Sequence, residues 1–491
     1  MSNNATLSLL KEIVQYPAFQ QYYRIIKESV SENSGLERPI IIELEQAVGS
    51  LLSFLMAGLD HSVPLIYLCE NDEEMRIVES DLFELGVEKV HSFPSLQRRP
   101  YDQGAIVDAS AMVQRTDVLQ KITERDASII LCSAEGLFDF VQDPKAFQSA
   151  KLALEKSQEY EFQDIQEHLA LQGYQNVRFV DEPGEMAIRG GILDIYVPEI
   201  EYPVRLDFFG TKLERIRTFD PSSQRSNGSV KEIKIFPVSE IILDEQTIDR
   251  FRQNYRRTIG TVQMSDRVYN SISEKMLVEG IEHWLPLFTP NLESIFSAFR
   301  GASFSYDHDL NFMIDNKWEQ IIESRSYDLK ADRNNNNKLF LLEPELLYLS
   351  PSEFMEAIRF YHIKKIDQIF TDKLETIYNS TKDFSVERNK EDISLFNEVV
   401  KYIRQRLKQR SIILSGGSEG SIKRLLNVLK EHDLNITRKI ESVTEVDDYT
   451  TQIYFAVTQL DMGFSTDQFE IITEKAIFGG KLRSGKAAKR R

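Results

Sequence analysis

The chain has 491 residues, 42% hydrophobic and 28% charged, which is enough apolar content to build packed cores and excludes a disordered tail. At roughly 150 residues per domain it should hold about three globular units. Its formal net charge of −18 repels a phosphate backbone, so the chain as a whole is not expected to grip DNA.

The first region alternates strand and helix. Residues 39–44 read as a buried strand, 49–59 as a helix, 63–69 as a strand and 72–85 as a helix. A strand over 87–93, a helix over 110–123 and a strand over 128–132 follow. Short apolar strands alternating with helices predict a mostly parallel α/β sheet. Near Asp143 the pattern changes. A helix over 162–171 precedes strands at 176–180, 191–197, 204–209, 213–219 and 230–235, separated by turn residues and without helices between them. That is an antiparallel meander in a separate α+β unit. From Pro237 the reading is helical and irregular, and Asn334 to Asn337 form a polar tract expected to be a loop. A second α/β unit is expected from Pro351, with a helix over 393–406, a strand over 411–414, a Gly-rich loop over 415–420, a helix over 421–431, and strands over 453–457 and 469–473. The tail from Lys481 to Arg491 is basic and reads as flexible linker.

Cys69 and Cys132 both lie in apolar runs and read as core residues. So few cysteines argue against a disulfide framework or a zinc site and point to a reducing compartment. The start, Met1-Ser2-Asn3-Asn4, lacks a signal-peptide pattern, and no apolar run is long enough to span a bilayer, so a cytoplasmic protein without membrane contact is expected.

Catalytic motifs are weak. Gly480 to Ala487 has the G-x-x-x-x-G-K spacing, but Ala487 stands where a magnesium-binding Ser or Thr belongs, and too little chain follows for the helix a phosphate loop needs. In the first α/β region a phosphate loop would fall between Glu43 and Leu51. That stretch has a single glycine, no lysine, and two glutamates where a polyphosphate would sit. The loop Ser415 to Gly420 could offer amides to an anion, but it lacks G-x-G-x-x-G spacing and Glu419 opposes one. Asp307-His308-Asp309 is the densest ligand-like cluster and fits a solvated loop better than a metal site. No nucleophile motif is present.

The meander says more. In the strand VRLDFF, Val204, Leu206 and Phe208 point one way, and Arg205, Asp207 and Phe209 the other. A Phe beside an Arg on a solvent-side face has the composition of an interface hot spot. A half-buried Phe209 with solvated arginines fits the same alternation. Arg189 joins this face if the hairpin pairs odd positions with odd.

At these residues the chain resembles a known family. The runs GYQNV (173–177), GEMAIRGGILDI (184–195), PVRLDFFG (203–210) and FDPSSQRS (219–226) are similar to the core shared by UvrB and the transcription-repair coupling factors. The runs PYD (100–102), GIEHWLPLF (280–288), LYLSP (347–351) and IITEKAIFG (471–479) favour the coupling factors. The resemblance implies an α/β and α+β multidomain architecture. A degenerate UvrB-like domain of phosphate-loop NTPase type (1–145 and 238–350) would be split by an inserted UvrA-binding domain (146–237). A small α/β domain of unknown role (351–475) and a basic linker (476–491) would follow. It further implies that an RNA-polymerase-interacting domain, an ATP- and magnesium-dependent DNA-translocating motor, and a carboxy-terminal domain that masks the UvrA-binding surface lie beyond this chain. The UvrA contact of the family falls on Arg189, Arg205 and Phe209, and no cofactor is implied within this chain. The reading is thus a non-catalytic module that recruits UvrA in transcription-coupled nucleotide excision repair. The rivals are a UvrB-like ATP-dependent DNA-processing enzyme and a purely structural or autoinhibitory region.

Overall fold

A computed structural model describes residues 20, 23 and 24 and, with gaps, 40–479; the gaps longer than three residues are 45–49, 59–64, 102–108, 125–128, 299–302, 336–339, 367–378, 390–393 and 441–450. Residues 480–491 of the expected basic linker, the Asp307–Asp309 cluster and most of the stretch from Glu43 to Leu51 lie outside the described residues. The start expected for that linker is folded, since 476–478 close the helix Glu474–Phe478 with Ala476 and Ile477 buried.

The first sheet contains β1 (Ile40–Leu44), β2 (Leu65–Cys69), β3 (Val90–Phe93) and β4 (Ile129–Ser133). Two later strands, Ser303–Tyr306 and His362–Ile366, complete it, giving the order His362–Ile366, β1, Ser303–Tyr306, β2, β4, β3. Every pairing in it is parallel. β2 and β4 are buried along their whole length, as continuous apolar runs in a sheet covered on both faces must be. Alternation divides β2 between two cores. Leu65, Tyr67 and Cys69 pack with the helices Leu51–Ala57 and Asp72–Glu84. Ile66 and Leu68 pack with residues of Ala109–Glu124 and of the segments after the meander, including Ile314 and Phe354. The helix Asp72–Glu84 starts where Asn71 accepts from the Glu73 and Glu74 amides at 3.0 and 2.9 Å, with three acids in its first turn facing the positive end of the dipole.

The meander interrupts this sheet in sequence. It begins and ends on a two-stranded ladder, β5 (Leu152–Glu155) against Glu232–Ile235, with Leu152 opposite Ile235, so both connections leave side by side. Between them lie the helix Phe162–Leu171 and a six-stranded sheet. In chain order its strands are β6 (Gln175–Asn176), β7 (Glu185–Arg189), β8 (Ile192–Ile195), β9 (Val204–Phe209), β10 (Lys212–Phe219) and β11 (Ser226–Val230). They are spatial neighbours in that same order, antiparallel except for β6 with β7. Ile165 and Leu169 of the helix pack on Met186, Leu193, Val204, Leu206 and Ile216. Arg115, fully buried, pins this unit's exit to the first one: it pairs with Glu240, donates to the Pro94 carbonyl at 3.0 Å and stacks on Phe93 at 4.2 Å.

Four sequence expectations change here. Residues 177–180 do not extend a strand, because β6 ends at Asn176 and the chain turns over the sheet. Asn334 and Asn335 are not loop but the end of a long helix, Leu310–Asn335. The division at Pro351 falls inside the first unit: Phe354 packs in its core and His362–Ile366 pairs with β1. The second α/β sheet is built instead from Asn379 onward, in the order Asn379–Ser380, Phe464–Ser465, Phe469–Thr473, Ser411–Gly416, Ile453–Val457, Ile436–Lys439. The expected Gly-rich loop shrinks to Gly417 and Ser418, since the strand runs to Gly416 and Ser418 caps a helix starting at Glu419 through a capping box with Ser421. This sheet docks on the first unit. Phe54 and Phe464 meet edge to face with centroids 5.5 Å apart, and the buried Asp81 carboxylate accepts from the Asp461 amide at 3.0 Å.

Candidate protein-docking face of the antiparallel sheet

The meander sheet has two unequal faces. One is closed by the helix Phe162–Leu171 and holds Leu193, Val204, Leu206 and Leu213. Phe208 belongs to it, its ring 5.0 Å from that of Phe162. A bulge keeps this register: Asp207 lies opposite Arg215 and Phe208 opposite Leu213, so Glu214 is the extra residue and Leu213 stays inside.

The other face carries the residues in between. Register sets them in rows: Ala187, Asp194, Arg205 and Arg217 in one, and Arg189, Ile192, Asp207 and Arg215 in the next. Phe209 stands one step further out. It is 78% exposed, the most exposed aromatic side chain among the described residues. The turns beside it use Gly190 and Gly210 at φ +61° and +62°, left-handed backbone that a side chain would strain although space is open there.

One end of this face is covered. Val180, Ala187 and Phe219 form a small buried cluster under the chain that turns back after β6. At its margin Arg205 holds Asp194 through two bonds, Nε to Oδ1 at 2.6 Å and Nη2 to Oδ2 at 2.7 Å, and lies 4.7 Å over the Phe219 ring. Asp194 is 1% exposed and the Arg205 side chain 15%. The bonds it donates to Asp194 hold the Arg205 guanidinium even more firmly protonated than usual. Arg217 clasps Asp207 in the same two-pronged way, both bonds at 2.8 Å.

Arg189, Arg205 and Phe209 therefore share a face, but in different states. Phe209 is open to solvent and Arg189 is 43% exposed. Arg205 is mostly covered and occupied within the chain, so it does not form part of one exposed patch as the strand pattern alone suggests. Sequence reasoning missed Asp194, Arg217 and Phe179, which surround these three. The alternation of GGILDI puts Asp194 on the outer face, but pairing it with Arg205 requires the hairpin register. Phe179 carried no periodic signal.

Elsewhere, the described residues contain no group of three or more His, Cys, Asp and Glu side chains placed to hold a metal. Among them no helix is long and apolar enough to cross a membrane. Cys69 and Cys132 are both free and buried, and burial pushes the Cys132 thiol pKa upward.

Residues 152–241, the span of this unit, match the model of the UvrB interaction domain. Most of the chain is similar to curated transcription-repair-coupling factors. The Haemophilus influenzae protein is 25% identical over 84% of this chain and 35% of its own length. That of Rickettsia bellii is 24% identical over 85% of this chain and 37% of its own. That of Escherichia coli is 26% identical over 52% of this chain and 22% of its own. The chain thus spans about a third of the length of these curated relatives that it matches along most of its own length.

Proposed function

We propose that this chain, a homologue of the amino-terminal part of the transcription-repair-coupling factors, docks UvrA through the outer face of its UvrB interaction domain and contributes binding rather than catalysis to transcription-coupled repair. The observation that carries the reading is the 78% exposed Phe209 on a well-packed sheet whose opposite face is closed. An exposed aromatic on a rigid strand is the kind of side chain that anchors a protein interface when a partner covers it. Arg189, on the same face, adds directed, charge-assisted bonds to carboxylates or carbonyls.

The split first unit fits a degenerate phosphate-loop NTPase-like domain, since its sheet draws on strands before and after the meander. The lysine-free stretch from Glu43 to Leu51 supports a chain that does not turn over ATP. In this reading the ATP-dependent motor, the polymerase contact and the domain that masks the UvrA surface belong to the part of the relatives that the chain does not span.

The test is a titration of UvrA onto the chain and onto Phe209→Ala. Loss of a central hot spot should weaken binding by about thirtyfold, or about 2 kcal/mol, with an unchanged melting curve. Equal affinity of the two proteins would overturn the assignment of this face.

A further inference from the structure

The chain that turns back after β6 places a second aromatic on the docking face. Val180 is anchored in the small cluster with Ala187 and Phe219, and its carbonyl accepts from the Gln224 side-chain amide at 3.0 Å. With Val180 held inward, its neighbour Phe179 is turned out and is 50% exposed. The Arg189 guanidinium lies 4.5 Å over the Phe179 ring, and that of Arg178 lies 5.4 Å from it. Arg189 also donates from Nη2 to the Arg178 carbonyl at 3.0 Å. A long side chain that would otherwise sample many rotamers is thereby held in one, against a ring and a carbonyl.

The charge of the face is as unequal as its exposure. Asp194 is taken by Arg205 and Asp207 by Arg217. Arg189 keeps only a longer contact to the already paired Asp194, at 3.8 Å. Arg215, exposed and in the same row, makes no ion pair among the described residues. A chain of net charge −18 thus leaves the cations of Arg189 and Arg215 on the face that also carries the exposed Phe179 and Phe209.

Resting on the UvrA-docking reading, we propose that Phe179 is a second aromatic anchor of this face and the positioning residue for Arg189, and that the complementary UvrA surface is carboxylate-rich with apolar recesses for the two rings. Positive charge with aromatic anchors is the arrangement that steers an acidic partner in and then holds it.

The experiment titrates UvrA onto the full chain and its Phe179→Ala, Phe179→Leu, Phe209→Ala, Arg189→Ala, Arg215→Glu and Phe179→Ala/Arg189→Ala variants, at low and high salt. Phe179→Ala should lose about tenfold in affinity. Phe179→Leu, which keeps apolar area but no ring face, should lose less and also guards against misfolding of the alanine variant. The double variant should lose clearly less than the product of the two single losses, because Arg189 without its platform is already misplaced. Arg215→Glu should weaken binding and flatten its salt dependence. If Phe209→Ala binds normally, the docking reading itself fails. If Phe209→Ala weakens binding but Phe179→Ala does not, only the present proposal is overturned. Strict multiplicativity of Phe179→Ala and Arg189→Ala would remove the positioning role, and tighter binding by Arg215→Glu would refute an acidic partner surface.

Discussion

Arg205→Ala separates two ways of reading the docking strand. From alternation alone Arg205 is a surface arginine whose loss leaves the fold intact. The structure makes it the counter-ion of Asp194, a carboxylate 1% exposed. Removing one partner of a buried ion pair typically costs about 3–5 kcal/mol, because the remaining charge is left without solvation. Here the cost should fall below that range. Arg205 reaches the sheet margin, and Arg189 stands 3.8 Å from the same carboxylate as a partial substitute. We expect about 2–3 kcal/mol, lost locally across β8 and β9. The two tryptophans, Trp284 and Trp318, lie outside this unit, so fluorescence would miss the change. Amide hydrogen exchange of residues 192–195 and 204–209 would report it, as an acceleration of about 30- to 160-fold. Asp194→Leu/Arg205→Met should restore most of the protection, since an apolar pair of similar volume removes the orphaned charge. Unchanged exchange in Arg205→Ala would refute the argument and return Arg205 to the free surface. Failure of the double variant to recover protection would show that packing over Phe219, rather than the charge, carries the cost.

Three further outcomes follow from the same geometry. Leu206→Ala, at a position with no exposure, should destabilise the meander unit by about 2–5 kcal/mol, seen as a lowered melting temperature, whereas Phe209→Ala should leave it unchanged. Calorimetric titration with magnesium-ATP should show no binding heat, and a micromolar dissociation constant would contradict the non-catalytic reading. Burial, only partly offset by hydrogen bonds from Ser50, Asp461 and Ser53, raises the Asp81 pKa from 3.8 to about 7. A raised folded-state pKa means the protonated form is the stable one in the fold. Stability from this group is therefore full below about pH 4 and is lost as pH rises towards 7, by at most about 4 kcal/mol. Asp461 and Lys475, themselves paired, lie at this same contact between the two α/β units. Asp81→Asn should flatten the pH dependence of hydrogen exchange at Asp461 and Met462 between pH 5 and 7.5, and a slope identical to that of the parent chain would refute the assignment.

Much of this molecule is legible without coordinates, where the physics is local. A strand's side chains alternate whatever it pairs with, so the inward set Val204, Leu206 and Phe208 and the outward Phe209 could be read from VRLDFF alone. The helix Phe162–Leu171 and the strands Ile453–Val457 and Phe469–Thr473 announce themselves by apolar spacing and by the turn residues around them. What local pattern cannot carry is the choice of a distant neighbour. His362–Ile366 has a strand's composition, but only tertiary pairing with β1 returns it to the first sheet and moves the domain division past Pro351. Arg205 and Asp194 are both outward-facing in sequence. The hairpin register sets them directly opposite, turning a surface arginine into the partner of a buried acid. Phe179 belongs to no periodic element, and its exposure against Arg189 exists because Val180 beside it is held in a cluster built from three separate segments. Alternation follows from the geometry of one backbone, whereas register, sheet membership and the neighbours of a loop are settled by contacts whose free energy appears only when the chain has closed on itself.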